Sequence, residues 1–153
     1  MPRNVYSEIN LHFVWRTKES RFLIAPALER NVYEAIVHRA RMDEGVCVHG
    51  IGGTANHVHM AVTVPPTIEV SRWIGRVKGG SAHDINELPA FAGAFQWQTG
   101  YGVVSFGSRA LPWVKAYIRD QKQHHENGTW QERLERIVRD AAEAGEGKGV
   151  ETP

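Results

Sequence analysis

Cysteine is almost missing from this sequence. Cys47 is the only one in 153 residues, which excludes an internal disulfide and a cysteine-built zinc site and fits a reducing compartment. Long apolar runs are missing as well. None approaches the roughly 20 residues of a membrane span, and Met1-Pro2-Arg3-Asn4 leads into an alternating segment rather than a signal-peptide core. A cytoplasmic location and no membrane partner are therefore expected. A dominant charge sign is also lacking, with 18 Lys and Arg against 17 Asp and Glu. Residues 1–125 hold 14 basic and 10 acidic side chains, and residues 126–153 hold 4 and 7. This mild basic excess permits a polyanionic partner without demanding one. Repeats, low-complexity tracts and long linkers are absent. One domain over 1–144 is expected, with a Gly-rich disordered tail over 145–153. The 42% hydrophobic content suffices for a core without a structural metal.

What is present is periodicity. Over residues 5–15, Val5, Ile9, Leu11, Phe13 and Trp15 share one parity, and Tyr6, Glu8, Asn10 and His12 the other. Period two predicts a half-buried strand. Helical spacing predicts a helix over 26–43, with Pro26 in its first turn and Gly45 beyond its end. Val46 and Val48 open a second strand that the glycines at 50–53 should end. A third strand runs from His57 to Val64, closed by Pro65-Pro66. Thr67 is expected to cap the next helix, carrying Val70, Trp73, Ile74 and Val77 inward until Gly79-Gly80 weakens it. A fourth strand is expected over 95–106. A helix begins near Pro112, with Leu111, Val114 and Ile118 on its stripe. Thr129 and Glu132 predict a capping box for a last helix with Trp130, Leu134, Ile137, Val138 and Ala141 inward. The order predicts an α+β, ferredoxin-like antiparallel sheet (β-α-β-β-α-β), helices on one face, with added C-terminal helices.

Two groups of residues carry chemistry. His57 and His59 flank Val58 on a strand, so they point the same way while Val58, Met60, Val62 and Val64 point the other. Such a pair can share one cation, or it can be two histidines on a solvated sheet face. Tyr117 and Gln121 stand four apart on a helix and share its face. The phenol is a candidate nucleophile and the amide oxygen a third ligand; a half-buried tyrosine of an amphipathic helix has the same spacing. An unperturbed phenol has a pKa of about 10, so a base or cation would have to activate it.

Five segments, in order, carry a resemblance: His12-Phe13-Val14-Trp15-Arg16-Thr17-Lys18, Asn56-His57-Val58-His59-Met60, Lys78-Gly79-Gly80-Ser81, Trp97 to Ser105, and Tyr117 to His125. Together they resemble the single-tyrosine HUH transposases, insertion-sequence enzymes acting on single-stranded DNA that include the REP-associated tyrosine transposases. HUH denotes His-hydrophobic-His. Asn56 departs from the pattern, since many members have Asp there. The resemblance implies a metal-dependent transposase that recognises hairpins at element ends. It cleaves single-stranded DNA through a 5′-phosphotyrosine on Tyr117 and rejoins it. It implies a divalent cation, Mg²⁺ or Mn²⁺, on His57, His59 and Gln121, and single-stranded hairpin DNA as partner. A homodimer is implied too, and a joint at 107–112 would let the helix of Tyr117 and Gln121 serve the His57/His59 strand of the other copy or dock on its own.

Arg72, Arg76, Lys78 and Ser81, with Arg16 and Lys18, are the expected DNA contacts. Trp97, Tyr101 and Phe106 are candidates for base stacking, although core packing suits Trp97 and Phe106 better. Trp113 is expected to pack, Cys47 to be a small buried hydrophobe, and His124 and His125 carry no assigned role. The rival readings are a domesticated, non-catalytic DNA- or RNA-hairpin binder on the same scaffold and a metallohydrolase that needs no tyrosine.

Overall fold

β1 (Ile9–Arg16), β2 (Cys47–Thr54), β3 (His57–Val64) and β4 (Gly102–Phe106) form one sheet of order β2-β3-β1-β4 in the computed structural model, which describes residues 4–138. Every neighbouring pair is antiparallel. With α1 (Glu29–Ala40) between β1 and β2, and α2 (Val70–Ile85) between β3 and β4, this is the expected ferredoxin-like arrangement. The expected tail at 145–153, the domain end at 144 and Ala141 lie outside the described residues. Among the described residues no helix is long and apolar enough to cross a membrane.

Strand alternation divides the sheet into two chemistries. Phe13 pairs with Met60 and Trp15 with Val58, and these side chains meet Val32 and Ile36 of α1 and Trp73, Ile74 and Val77 of α2 in the main core. Burying each such side chain stabilises the fold by about 1.5–3 kcal/mol. The opposite parity holds His12, Val14, His57, His59 and Ala61. In the register, His12 lies opposite Ala61, Val14 opposite His59 and Arg16 opposite His57. This second face is not left bare, because the added C-terminal helices, whose place the sequence did not give, cover it. α3 (Leu111–Arg119), α4 (Gln121–Asn127) and the single turn α5 (Glu132–Glu135) cover it, with Val114 and Ile118 packed on Ala61.

Several boundaries move for physical reasons. β1 starts at Ile9, because Val5 and Tyr6 are exposed and outside the ladder. A 3₁₀ turn at Pro26–Leu28 precedes α1, which stops at Ala40. Thr67 caps nothing; it lies in the Pro65–Ile68 turn, and α2 starts after Glu69. α2 also runs through Gly79-Gly80 to Ile85, because Trp73, Ile74, Val77, Ser81 and Ile85 are all buried and packing outweighs propensity. β4 is shorter than expected. Residues 96–101 are held instead by single bonds, including those from the Lys78 Nζ to the carbonyls of Gln98 (2.8 Å) and Gly100 (2.6 Å). Of the last helix expected from Thr129 onward, the described residues hold one turn at 132–135. Thr129 spends its hydroxyl on His124 Nδ1 (2.9 Å) and its N–H on the His124 carbonyl, and Arg136 is extended (φ −79°, ψ 131°). Cys47, expected inside, is exposed.

β2 does not end at its glycines. It passes through them because α3 lies directly on the strand: a Cβ on Gly52 would sit 2.6 Å from the Ile118 carbonyl oxygen. Gly52→Ala should therefore displace α3 and destabilise the fold by about 1–3 kcal/mol. Urea unfolding measures this, and an unchanged midpoint would show that α3 does not seat on β2.

Candidate active site and metal centre

The second face of the sheet gathers four residues singled out in the sequence. β3 supplies His57 and His59, α3 supplies Tyr117, and the first residue of α4 supplies Gln121. The helix expected to carry both Tyr117 and Gln121 is broken at Asp120 (φ −98°, ψ 24°). Both side chains still face inward, and the Gln121 Nε2 donates to the Tyr117 carbonyl at 3.3 Å. That bond orients the amide so that Oε1 stands 3.2 Å from His57 Nε2.

Two further ligand-type residues join them. His125 Nε2 lies 3.1 Å from both His57 Nε2 and Gln121 Oε1. Glu135, with 0% exposure, places Oε1 3.1 Å from His59 Nε2 and 3.6 Å from His57 Nε2. Its Oε2 accepts from the Tyr117 hydroxyl at 2.5 Å. Tyr117 is only 2% exposed, and its Oη also accepts from the Gln131 backbone N–H at 2.8 Å. Reasoning from sequence missed Glu135 altogether, and no local pattern marks it. His125 did carry a signal, since it lies four residues after Gln121 and so shares its helix face.

Hydrogen bonds behind the histidines set which nitrogen is bare. Thr54 Oγ1 donates to Asn56 Oδ1 (3.1 Å), and the Asn56 Nδ2 reaches the Ser20 carbonyl (3.4 Å), which orients that amide. Asn56 Oδ1 therefore accepts from His57 Nδ1 at 2.9 Å. The amide oxygen thus occupies the place the missing carboxylate would take, and it leaves the His57 Nε2 lone pair aimed into the site. His59 Nδ1 is met by His12 Nε2 at 2.9 Å. A partner on the outer nitrogen of each ring is the usual support for a metal-binding histidine.

The result is an excess of lone pairs. His57 Nε2, Gln121 Oε1, His125 Nε2, His59 Nε2 and a carboxylate face one another, with few protons available to separate them. The ligand atoms of His57, His59, His125 and Glu135 all lie within 4.8 Å of one another. A divalent cation resolves such a cluster, and the mixed nitrogen and oxygen donors suit it. Titration behaviour agrees. Burial, then the neighbouring His59, pushes His57 down to about 3. Burial also lowers His59, and burial with His59 lowers His12. For Glu135, burial alone would raise the carboxyl, but bonds with His125 and His59 outweigh it and hold the group ionised. Tyr117 is pushed up, first by burial and further by Glu135 against the opposing Gln131 N–H, so it is a neutral phenol at pH 7.

The expected DNA contacts are placed elsewhere, apart from Arg16, which lies opposite His57 and is half-buried. Arg72 and Arg76 project from α2, in the layer across the sheet, and are paired with Glu69 (2.9 Å) and Asp43 (2.7 Å). Lys78 binds backbone carbonyls, as described above. Ser81 is buried, donating to the Lys78 carbonyl and accepting from Trp97 Nε1. Lys18 is exposed in a 3₁₀ turn after β1. Trp97 packs edge-on against Trp15 and Phe95, and Tyr101 against Phe13. Phe106 packs beside Val114 and Ile118.

The family model for IS200-like transposases matches residues 5–121. A protein from Deinococcus radiodurans R1 assigned as a transposase is similar in structure, with TM-score 0.61, 17% identity, 79% of this chain and 96% of that one covered. A REP-associated tyrosine transposase bound to a REP hairpin superposes with TM-score 0.58 and 15% identity over 87% of this chain and 77% of its own. No curated protein matches the chain in sequence. At these identities the two structures speak for the fold alone. The family model carries more, for its match over residues 5–121 takes in the first strand, both histidines, Tyr117 and Gln121. On that match the chain belongs to the IS200-like transposase family.

Proposed function

We propose that this protein cleaves and rejoins single-stranded DNA beside a hairpin, with Tyr117 as nucleophile. The observation that carries the reading is the link from the phenol to the histidine cluster through one carboxylate. Tyr117 Oη meets Glu135 Oε2 at 2.5 Å, and Glu135 Oε1 meets His59 Nε2 at 3.1 Å. A neutral phenol is a weak nucleophile and needs an adjacent acceptor. Glu135 Oε2 is the acceptor placed to take its proton. Oη then bonds to phosphorus, the bond from phosphorus to the 3′-oxygen breaks, and that oxygen leaves with the electron pair and is protonated by solvent. The 5′-phosphotyrosine keeps the bond energy, so rejoining by a 3′-hydroxyl needs no nucleotide.

His57, His59 and Gln121 would hold a Mg²⁺ or Mn²⁺ ion, with His125 and Glu135 in reach. Bound there, the ion supplies Lewis-acid polarisation of the scissile phosphate. Hairpin DNA as the partner is supported by the relative that was solved with a REP hairpin. A shared site would pair this helix with the histidine strand of a second copy, and the mixing test below distinguishes that from a site built within one chain. Tyr117 lies against His59 of its own chain, ring centroids 5.9 Å apart.

The test is incubation of the protein and Mg²⁺ or Mn²⁺ with labelled hairpin oligonucleotides carrying single-stranded flanks. A covalent adduct that survives denaturation is expected. Tight hairpin binding without an adduct would favour the non-catalytic binder. Cleavage without an adduct would favour the metallohydrolase. Mixing His57→Ala with Tyr117→Phe should restore no cleavage if each chain builds its own site; restored cleavage would establish a shared one.

A further inference from the structure

Trp113, expected to pack, is 52% exposed. It is exposed at one particular place. Its indole lies nearly parallel to the Tyr117 ring, with centroids 5.6 Å apart and an interplanar angle of 13°. On Tyr117's other neighbour, His124, the rings are 4.7 Å apart at 28°. The nucleophile's ring therefore belongs to a stack that is buried at Tyr117 and reaches solvent at Trp113. An indole left half in water gives up hydrophobic stabilisation that a buried position would supply, and among the described residues the ring contact of Trp113 is the one with Tyr117. Arg109, one turn earlier in the 3₁₀ segment feeding α3, is exposed and has no ion-pair partner among the described residues.

We propose that Trp113 is the stacking platform for a nucleobase flanking the scissile phosphate, a contact that positions the strand for Tyr117. The inference rests on the proposed single-strand chemistry. A phosphate delivered to Tyr117 Oη has a base one sugar away on either side, and the indole stacked on the attacking ring offers it an open aromatic surface. Stacking accepts any base, because every base has a π-face, and Arg109 offers a charge for a neighbouring phosphate. The contact would thus hold the arm in register without reading its sequence, leaving recognition to the hairpin and to other residues.

Binding measured on the Tyr117→Phe chain tests this without cleavage, and the phenyl ring keeps the stack. The probe is a fluorescein-labelled hairpin oligonucleotide with a single-stranded arm, compared with the same hairpin lacking the arm. Adding Trp113→Ala should weaken the armed hairpin roughly 10-fold, within the range that one base–aromatic stack is worth, and leave the armless hairpin unchanged. Trp113→Phe should recover most of the loss. Single abasic positions scanned along the arm should reveal one whose penalty disappears once Trp113 is alanine. Equal losses on armed and armless probes, no loss at all, or abasic penalties that stay additive at every position would each overturn the platform. Failure of the unaltered protein to form an adduct, with this coupling intact, would sink the nucleophile and spare Trp113. A chain that binds no hairpin would sink both.

Discussion

Tyr117→Phe is expected to abolish the covalent protein–DNA adduct completely while hairpin binding persists. The substitution removes one oxygen and keeps the ring between Trp113 and His124, so the platform and the helix packing survive. What is lost locally is the donor to Glu135 and the acceptor for the Gln131 N–H. Leaving buried polar groups short of a partner costs about 1–3 kcal/mol. Thermal unfolding should therefore shift modestly downward, and the loss of adduct is to be read at a temperature where the variant is folded. Denaturing gel analysis with labelled DNA measures the adduct, and fluorescence anisotropy the binding. A normal adduct yield from this variant would place the nucleophile on another residue.

Acidification should destabilise the metal-free protein well before its carboxylates are protonated. His12, His57 and His59 are buried as neutral imidazoles, with their pKa values depressed below the ordinary 6.5. The sign follows from proton uptake. Below about pH 6.5 the unfolded chain binds protons at these rings and the folded chain does not, so stability is fully present above that pH and falls as pH drops. For His57, with a folded value of about 3, the loss between pH 6.5 and 4.5 is about 2 kcal/mol, since the slope reaches about 1.36 kcal/mol per pH unit only below the unfolded pKa. His12 and His59 act in the same direction. Glu135, also depressed, adds to the loss once pH falls below the ordinary carboxylate range. Against a typical total of about 5–15 kcal/mol, this is a large share. Urea titrations at pH 7 and pH 4.5 measure it; equal midpoints would show that the imidazoles are hydrated in solution. Mn²⁺ should raise the pH 7 midpoint and lose that effect in acid, since protons compete for the same nitrogens.

The site shows how far pattern alone reaches. Period-two alternation placed His57 and His59 together and opposite to Val58 and Met60, because successive side chains on a strand must point to opposite faces. The same rule, applied to β1, puts His12 and Arg16 on the histidine face, and the register bears this out. The four-residue spacing of Tyr117 and Gln121 survived even a break between α3 and α4, since the break shifts direction without turning either side chain outward. Glu135 is different. Its proximity to His59 depends on the reversal at Gly128, which is left-handed (φ 71°), and on the close passage of residue 136 along β4. There a Cβ on Gly102 would sit 1.9 Å from the Arg136 carbonyl oxygen. Helical periodicity from Thr129 onward pointed to a longer helix, whereas the chain is already extended at Arg136.

The sequence by itself determined the order of the elements, the α+β class, and the placing of His57 with His59 and of Tyr117 with Gln121 on common faces. All of these follow from interactions a few residues long, which repeat along the chain and so leave a visible period. Only the tertiary structure decided that a second layer covers the histidine face, that Asn56 Oδ1 and His12 Nε2 back the two histidines, and that His125 and Glu135 enter the cluster. It also decided that Cys47 and Trp113 meet solvent while Ser81 is buried. Those outcomes depend on residues far apart in the chain meeting in space, as Glu135 meets His59 across 76 residues, and a contact made once leaves no period to read.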